Sequence, residues 1–407
     1  MKKALAIILS ALIVLSAAAL ASCDSSPQPA NASQADSSSA QATETTTENP
    51  DDVKDKNLTY AEFKEYKLET NVPVKNIILM IGDGMGLNTI KCAEIQKGGK
   101  FATAAMPYTA RVTTDSLTGT TDSAAAATAL ACGVKTYNKY IGVDKDNDPV
   151  ESITEVAKGY GMKVGFAVTE HVAHATPAGF TAHVGNRDAF MQILGQQLKA
   201  DIDVMLGGGQ QFYRKGVKKL VEERDYTYVS TPAELDALKP GKKVLGMFRY
   251  ENILAGYKPS LETETKKALE LLENDNGFFL MVEGSDIDTR AALLDMDATL
   301  NEMKVFDHAI DTVLDYASKH PGTLVIVTAD HETGGVEVPE GAAAKDLTSD
   351  LFTSGGEHTS TPVGIFAAGA QANSLFDKEL IDNTDVAKMM KRVLKQSREY
   401  PSSSAAA

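Results

Sequence analysis

Short, nearly continuous apolar runs alternate with longer stretches of helical periodicity from about residue 58 to residue 400. The runs at 76–81, 164–168, 203–206, 278–282, 324–328 and 363–367 are rich in β-branched and aliphatic residues, and the pattern predicts strands there. Polar residues hardly interrupt them, which suits strands covered on both faces rather than strands with one wet face. Helical periods fall at 123–132, 152–158, 189–198, 262–272, 298–317 and 384–395. The alternation predicts an α/β fold: a large central, mostly parallel sheet flanked by helices on both faces. No repeat and no Pro/Gly linker divides residues 58–400, so they are expected to form a single domain. Residues 210–260 show no clear period and are expected as a peripheral excursion.

The first residues carry a different signature. Lys2 and Lys3 precede an apolar run over 4–20, shorter than the roughly 20 residues a spanning helix needs. A basic start, an apolar centre and small residues at the end predict a secretory leader over 1–22. Leu20-Ala21-Ser22-Cys23 resembles a bacterial lipobox, which implies a lipid on Cys23 and an extracytoplasmic, membrane-anchored protein. The alternative is a plain leader cleaved nearby, with Cys23 incidental. Residues 23–57 are rich in Ser, Thr, Ala, Gln and Asp, with no apolar period to offset the entropy of ordering them; they are expected as a tether. Residues 401–407 are expected as a frayed tail.

Composition narrows the function. Of 407 residues, 55 are Asp or Glu and 40 are Lys or Arg, a net charge of −15 without a basic stripe, which argues against binding a nucleic-acid backbone. Trp is absent and aromatics are 6%, so stacking platforms for single strands are not expected. Three cysteines exclude a disulfide scaffold; Cys92 and Cys132 either pair or are buried thiols.

Several expected strands end in groups that chelate. The first runs into Gly82-Asp83-Gly84, the fourth into Glu283 and the fifth into Ala329-Asp330-His331. Ligands collect outside the carboxyl ends of strands in open α/β sheets, and carboxylates gathered there require cations. A dinucleotide loop at Gly82-Asp83-Gly84-Met85-Gly86 fails, because Leu87 stands where a third glycine belongs. Asp83 is then either part of a glycine-rich turn or a strand-end carboxylate that glycines leave open to ions. Ser123 begins the alanine-rich run Ser123-Ala124-Ala125-Ala126-Ala127. It is either the N-cap of that helix or a nucleophile favoured by the helix N-terminus and a divalent ion. No G-x-S-x-G elbow supports a serine-esterase triad.

With Val327-Thr328-Ala329-Asp330-His331-Glu332-Thr333-Gly334-Gly335 added to these two motifs, the sequence resembles the bacterial alkaline phosphatases over about residues 75–369. The resemblance implies an α/β fold, two zinc ions and a magnesium ion (Zn2+ and Mg2+), and hydrolysis of small phosphate monoesters through a covalent phosphoserine. It also implies a homodimer, the frequent state of the family. Carried over by residue, Ser123 is the phosphorylated serine and Arg187 the clamp on two phosphate oxygens. Asp83 bridges one zinc and the magnesium, and Asp330 and His331 complete that zinc. Thr176 and Glu283 complete the magnesium, with His174 expected to face it. Asp288 and His358 bind the other zinc.

One position departs. The family usually has a His four residues after the Asp of this last pair, and here that slot is Ala292. A weakened second zinc site is therefore expected, with Asp286 or Asp295 as candidate replacements. Two other readings stay open: a phosphodiester or sulfate ester hydrolase of the same fold, and a weakly active or non-catalytic metal- or phosphate-binding lipoprotein. His171 and His183 are expected to make local hydrogen bonds.

Overall fold

The computed structural model describes residue 55 and residues 57–399. The leader, Cys23, nearly all of the tether and the tail lie outside the described residues.

Twelve strands occur among the described residues: β1 Asn76–Gly82, β2 Tyr108–Thr113, β3 Lys163–His171, β4 Val204–Gly208, β5 Tyr226–Val229, β6 Lys243–Met247, β7 Phe278–Gly284, β8 Thr323–Thr328, β9 Glu332–Thr333, β10 His358–Thr359, β11 Val363–Gly369 and β12 Leu380–Asp382. Ten form one sheet in the order β12-β2-β11-β8-β1-β7-β3-β4-β6-β5, and β9 pairs with β10 in a small second sheet. Within the large sheet only β11 runs against its neighbours, β8 and β2; the other pairings are parallel. Two groups of helices flank it. Ser123–Cys132 packs on Ala175–Thr181 and Asn383–Glu399, and Met296–Lys319 packs on Leu261–Leu272, β7 and β8.

The continuous apolar runs lie where both faces are covered: every residue of β1, β7 and β8 is buried. Each such aliphatic side chain contributes about 1.5–3 kcal/mol relative to exposure, so these three central strands form the core of the sheet. Residues 210–260 stay at the periphery, and there they continue the sheet: β6 pairs with β4, and β5 with β6, in parallel register. The expected helices fall within one or two residues of those observed, except that the last runs on to Glu399; the stretch expected at 298–317 is Met296–Lys319, capped by the Asp295 carboxylate on the Ala298 N–H.

The alanine run has a packing reason. All ten residues of Ser123–Cys132 are buried, and a Cβ added at Gly179 would come within 2.7 Å of the Ala127 Cβ. Only small residues let this helix and Ala175–Thr181 approach so closely. That contact fixes Ser123 and Thr176 relative to each other. Cys92 and Cys132 are both buried free thiols, and burial pushes them up to about 11 and about 12.

Candidate active site

The carboxyl ends of β1 and β8, adjacent in the sheet, deliver the first group. Asp83 follows β1, and Asp330 and His331 follow β8; all three are buried. His331 Nε2 stands 3.3 Å from Asp83 Oδ1, 3.3 Å from Asp330 Oδ2 and 3.5 Å from Ser123 Oγ. Asp330 Oδ1 accepts from the N–H groups of Gly84 and His331, whereas Asp330 Oδ2 and Asp83 Oδ1 accept no hydrogen bond. Gly84 (φ +73°) is obligatory here, since a Cβ would meet Asp288 Cα and Thr333 Oγ1 at 2.8 Å. Burial, with the charges of Asp330, Asp288 and Glu283, drives the Asp83 carboxyl well above its ordinary range. Abutting buried anions of this kind are stable as anions only beside a cation.

Thr333 sets the tautomer of His331. Its hydroxyl donates to Asp288 Oδ1, so its oxygen accepts from His331 Nδ1 at 3.2 Å. His331 Nε2 then carries the lone pair, aimed between two carboxylates, as a metal ligand requires. Burial also holds this imidazole below its ordinary value, in the neutral form.

A second group shares Asp83. Ligand atoms of Asp83, His174 and Glu283 lie within 4.8 Å of one another. Both Glu283 oxygens and Thr176 Oγ1 are buried without hydrogen-bond partners, and burial pushes Glu283 up to about 8. His174 Nε2 accepts from the Arg187 guanidinium at 3.2 Å, which leaves the oxygens of Asp83, Glu283 and Thr176 as the open donors.

The third group is thinner. Asp288 sits on the helix Asp286–Ala292, and its Oδ1 is 3.4 Å from Nε2 of His358 on β10. His358 Nδ1 donates to the Thr121 carbonyl at 2.9 Å, turning Nε2 toward Asp288. Burial opposes ionisation of both; the pair's mutual hydrogen bond outweighs it, lowering Asp288 and raising His358 to about 9. His331 is within reach, its ring stacked 3.6 Å from that of His358, but its Nε2 faces the first group. Neither expected replacement for the imidazole missing at Ala292 joins the pair. Asp286 Oδ1 accepts from Asn252 Nδ2 at 2.8 Å, and Asp295 caps the next helix. The first two groups therefore fit a divalent cation each, with three converging donors; the third, with two donors of its own, does not.

Ser123 is the first residue of its helix and not the cap. Asp122 is the N-cap: its Oδ1 accepts from the Ala125 N–H at 3.0 Å, and its Oδ2 accepts from Arg187 Nη1 at 3.1 Å and from the Lys139 N–H at 3.0 Å. One carboxylate thus secures the helix start and orients Arg187. The sequence Asp122-Ser123-Ala124 offers two cap candidates in succession, and the structure assigns the cap to Asp122. His183 makes the expected local bonds, to Gly142 O and Glu155. His171 makes its local bonds through the backbone, its N–H donating to Glu170 Oε2 at 3.2 Å and its carbonyl accepting from the His174 N–H at 2.8 Å; its ring Nδ1 has no partner, and the ring packs edge-on against Phe190, Phe212 and His174.

Residues 74–349 match the family model described as alkaline phosphatase. The chain is 38% identical over 308 residues to alkaline phosphatase 4 of Bacillus subtilis (strain 168), covering 69% of this chain and 66% of that relative; it spans just under two thirds of the relative's length. Among solved structures it superposes with TM-score 0.72 on the alkaline phosphatase of the Antarctic bacterium TAB5, at 32% identity, covering 79% of this chain and 99% of that one. A His-to-Asp variant of that phosphatase, at 30% identity and TM-score 0.70 over 81% of this chain and 99% of that one, holds Mg in its M3 site.

Proposed function

The chain belongs to the alkaline phosphatase family, a family of metal-dependent enzymes, and we propose that it hydrolyses phosphate monoesters to an alcohol and inorganic phosphate through a covalent phosphoserine at Ser123. The observation that carries this reading is the juxtaposition of a buried serine hydroxyl, at the first turn of a helix, with the Asp83–Asp330–His331 donors.

Ser123 Oγ forms the new bond to phosphorus as the ester oxygen departs and takes up a proton; water then attacks the phosphoserine and releases phosphate. The helix N-terminus favours negative charge at Ser123 and on the bound phosphoryl oxygens. Arg187 spends one N–H on Asp122 and one on His174, and the rest of its five donors present a planar fork to two phosphate oxygens. We propose zinc at Asp83, Asp330 and His331, whose mixed nitrogen and oxygen donors suit it. Magnesium is proposed at the oxygens of Asp83, Glu283 and Thr176, a harder donor set. When bound, these ions lower the pKa of the serine hydroxyl and neutralise phosphoryl charge. On the sequence of the leader and Cys23, we further propose that the enzyme acts outside the cytoplasm on a lipid anchor.

The test is aryl phosphate hydrolysis with and without chelator, for wild type and Ser123→Ala, beside matched aryl diesters and sulfates. The expected result is chelator-sensitive monoester turnover that falls on the order of 10⁴-fold or more in Ser123→Ala, with metal content retained. Turnover that survives loss of Ser123, or a preference for diesters or sulfates, overturns the reading.

A further inference from the structure

The pair Asp288 and His358 has three features that the buried donor group lacks. It has two ligands of its own, because neither Asp286 nor Asp295 joins a converging group of ligand atoms with the pair, and His331 Nε2 stands 3.3 Å from both Asp83 and Asp330. It lies toward solvent, with Asp288 21% and His358 24% exposed at the side chain, against 0% for Asp330 and His331. And the position one helical turn beyond Asp288, on its own face, is Ala292, an exposed residue whose backbone supports the loop leading to His358: a Cβ at Gly356 would lie 2.3 Å from the Ala292 carbonyl oxygen. A catalytic zinc site takes three protein ligands and one open position, so this pair falls one donor short.

Resting on the phosphatase reading above, we propose that Asp288 and His358 form a two-donor, readily emptied metal site, and that the enzyme consequently prefers phosphate esters and anhydrides with acidic leaving groups (aryl, enol and acyl phosphates) over alkyl phosphates. The chemistry follows from the loose transition state of phosphoryl transfer, in which the bond to the leaving oxygen is largely broken and charge has moved onto it. His358 is bonded to the Thr121 carbonyl, two residues before Ser123, and its ring stacks on His331, whose Nε2 is 3.5 Å from Ser123 Oγ; the part-exposed pair thus borders Ser123 on the solvent side, the side we assign to the departing oxygen. An oxygen leaving beside a firmly bound cation is stabilised whatever its basicity; one leaving beside an emptied pair must carry its own charge, which an acidic phenol or acid does and an alkoxide does not.

The test dialyses the full chain against zinc buffered at a series of free concentrations and counts metal per chain, for wild type, Ala292→His and Ala292→Leu. Wild type is expected to show a tight and a weak class. The weak class tightens in Ala292→His by about 100-fold or more, since even outer-shell partners shift metal affinity about 10–100-fold, and stays weak in Ala292→Leu. Equal affinity in wild type and Ala292→His overturns the proposal. In parallel, kcat/KM is measured for aryl phosphates of graded leaving-group acidity and for an alkyl phosphate. It should fall more steeply with leaving-group pKa in wild type than in Ala292→His, and equal slopes overturn the substrate preference. Should Ala292→His fail to fold, Asp288→Asn decides: loss of the weak class alone supports the site, and loss of the tight class with it overturns the proposal. Absence of Ser123-dependent turnover defeats the phosphatase reading, while the metal count judges the pair by itself.

Discussion

Asp83, Asp330 and His331 hang from the carboxyl ends of two adjacent, fully buried strands; Asp288 and His358 ride on a seven-residue helix and a two-residue strand at the rim. The strand-borne donors are packed from all sides, and removing one leaves an anion or an imidazole buried without a partner. The rim donors are part-exposed, so a lost ligand there can be replaced by water at little cost. The position of a donor in the fold thus sets how much the site depends on it. In this chain the missing imidazole falls on the tolerant side.

The largest effect should separate the two regions directly. Asp330→Asn is expected to weaken tight-class zinc binding by more than about 100-fold and to abolish turnover, because the amide oxygen can keep the two N–H groups on the Oδ1 side while an NH2 donor without a lone pair replaces the Oδ2 that would face the cation. Asp288→Asn is expected to cost aryl phosphate turnover less than about 10-fold. Equilibrium dialysis and initial rates read both, and equal losses would erase the distinction.

Next is Arg187, the proposed phosphate clamp, which is half-buried between the two regions and tied to Asp122 and His174. Arg187→Ala should raise KM for an aryl phosphate about 10–100-fold, the loss of charge-assisted hydrogen bonds of about 1.5–3 kcal/mol, with a smaller change in kcat. Asp122→Ala should raise KM less, while lowering stability by about 1 kcal/mol through the lost cap; steady-state kinetics beside denaturant unfolding separate the two contributions.

A backbone contact sharpens the comparison further. Gly179→Ala drives a methyl to 2.7 Å from Ala127 Cβ, an overpacking cost of about 1–3 kcal/mol. It should lower the melting temperature and disturb Ser123 and Thr176 together, leaving the affinity of the rim pair unchanged.

The remaining effect is on pH and is confined to metal-free protein. Burial holds Glu283 at about 8 against an ordinary 4.5. A carboxyl raised on folding adds stability that is full below about 4.5 and is lost as pH rises through about 8. Chelator-treated protein should therefore melt at a lower temperature at pH about 9 than at pH about 5. Glu283→Gln should flatten that profile, and added metal should reverse it. A profile that is flat in wild type contradicts the assignment of Glu283 to the buried region.

How far the sequence disclosed this depends on burial. β1, β7 and β8 were legible because strands covered on both faces must be apolar throughout, and because a carboxylate directly after such a run has few reasons to be there. β2 shows a different signal: Tyr108–Thr113 alternates apolar and polar residues, the period of a half-buried strand, and a search for continuous apolar runs passes over it. β5 and β6 lie in the stretch without a clear period, and β12 is three residues long. Within the site, Asp83, Asp330 and Ser123 follow from local motifs. The parts played by Asp122 and Thr333 depend on atoms distant in the chain, Arg187 and Asp288, and no local pattern announces such partners. The packing of the His171 ring was not legible for a related reason: Phe190 and Phe212 enclose it, and nothing near residue 171 foretells them.

The reversed direction of β11 has a temporal consequence. Because that strand enters the sheet from the edge where its neighbours finish, the loop before it can set His358 among groups made much earlier in synthesis. A polypeptide emerging amino end first carries Asp83 and Ser123 long before Asp330, His331 or His358 exist, so the centre closes only when the last third of the chain has arrived. A chain interrupted before residue 330 has Asp83 without the Asp330 and His331 groups that stand beside it in the finished fold.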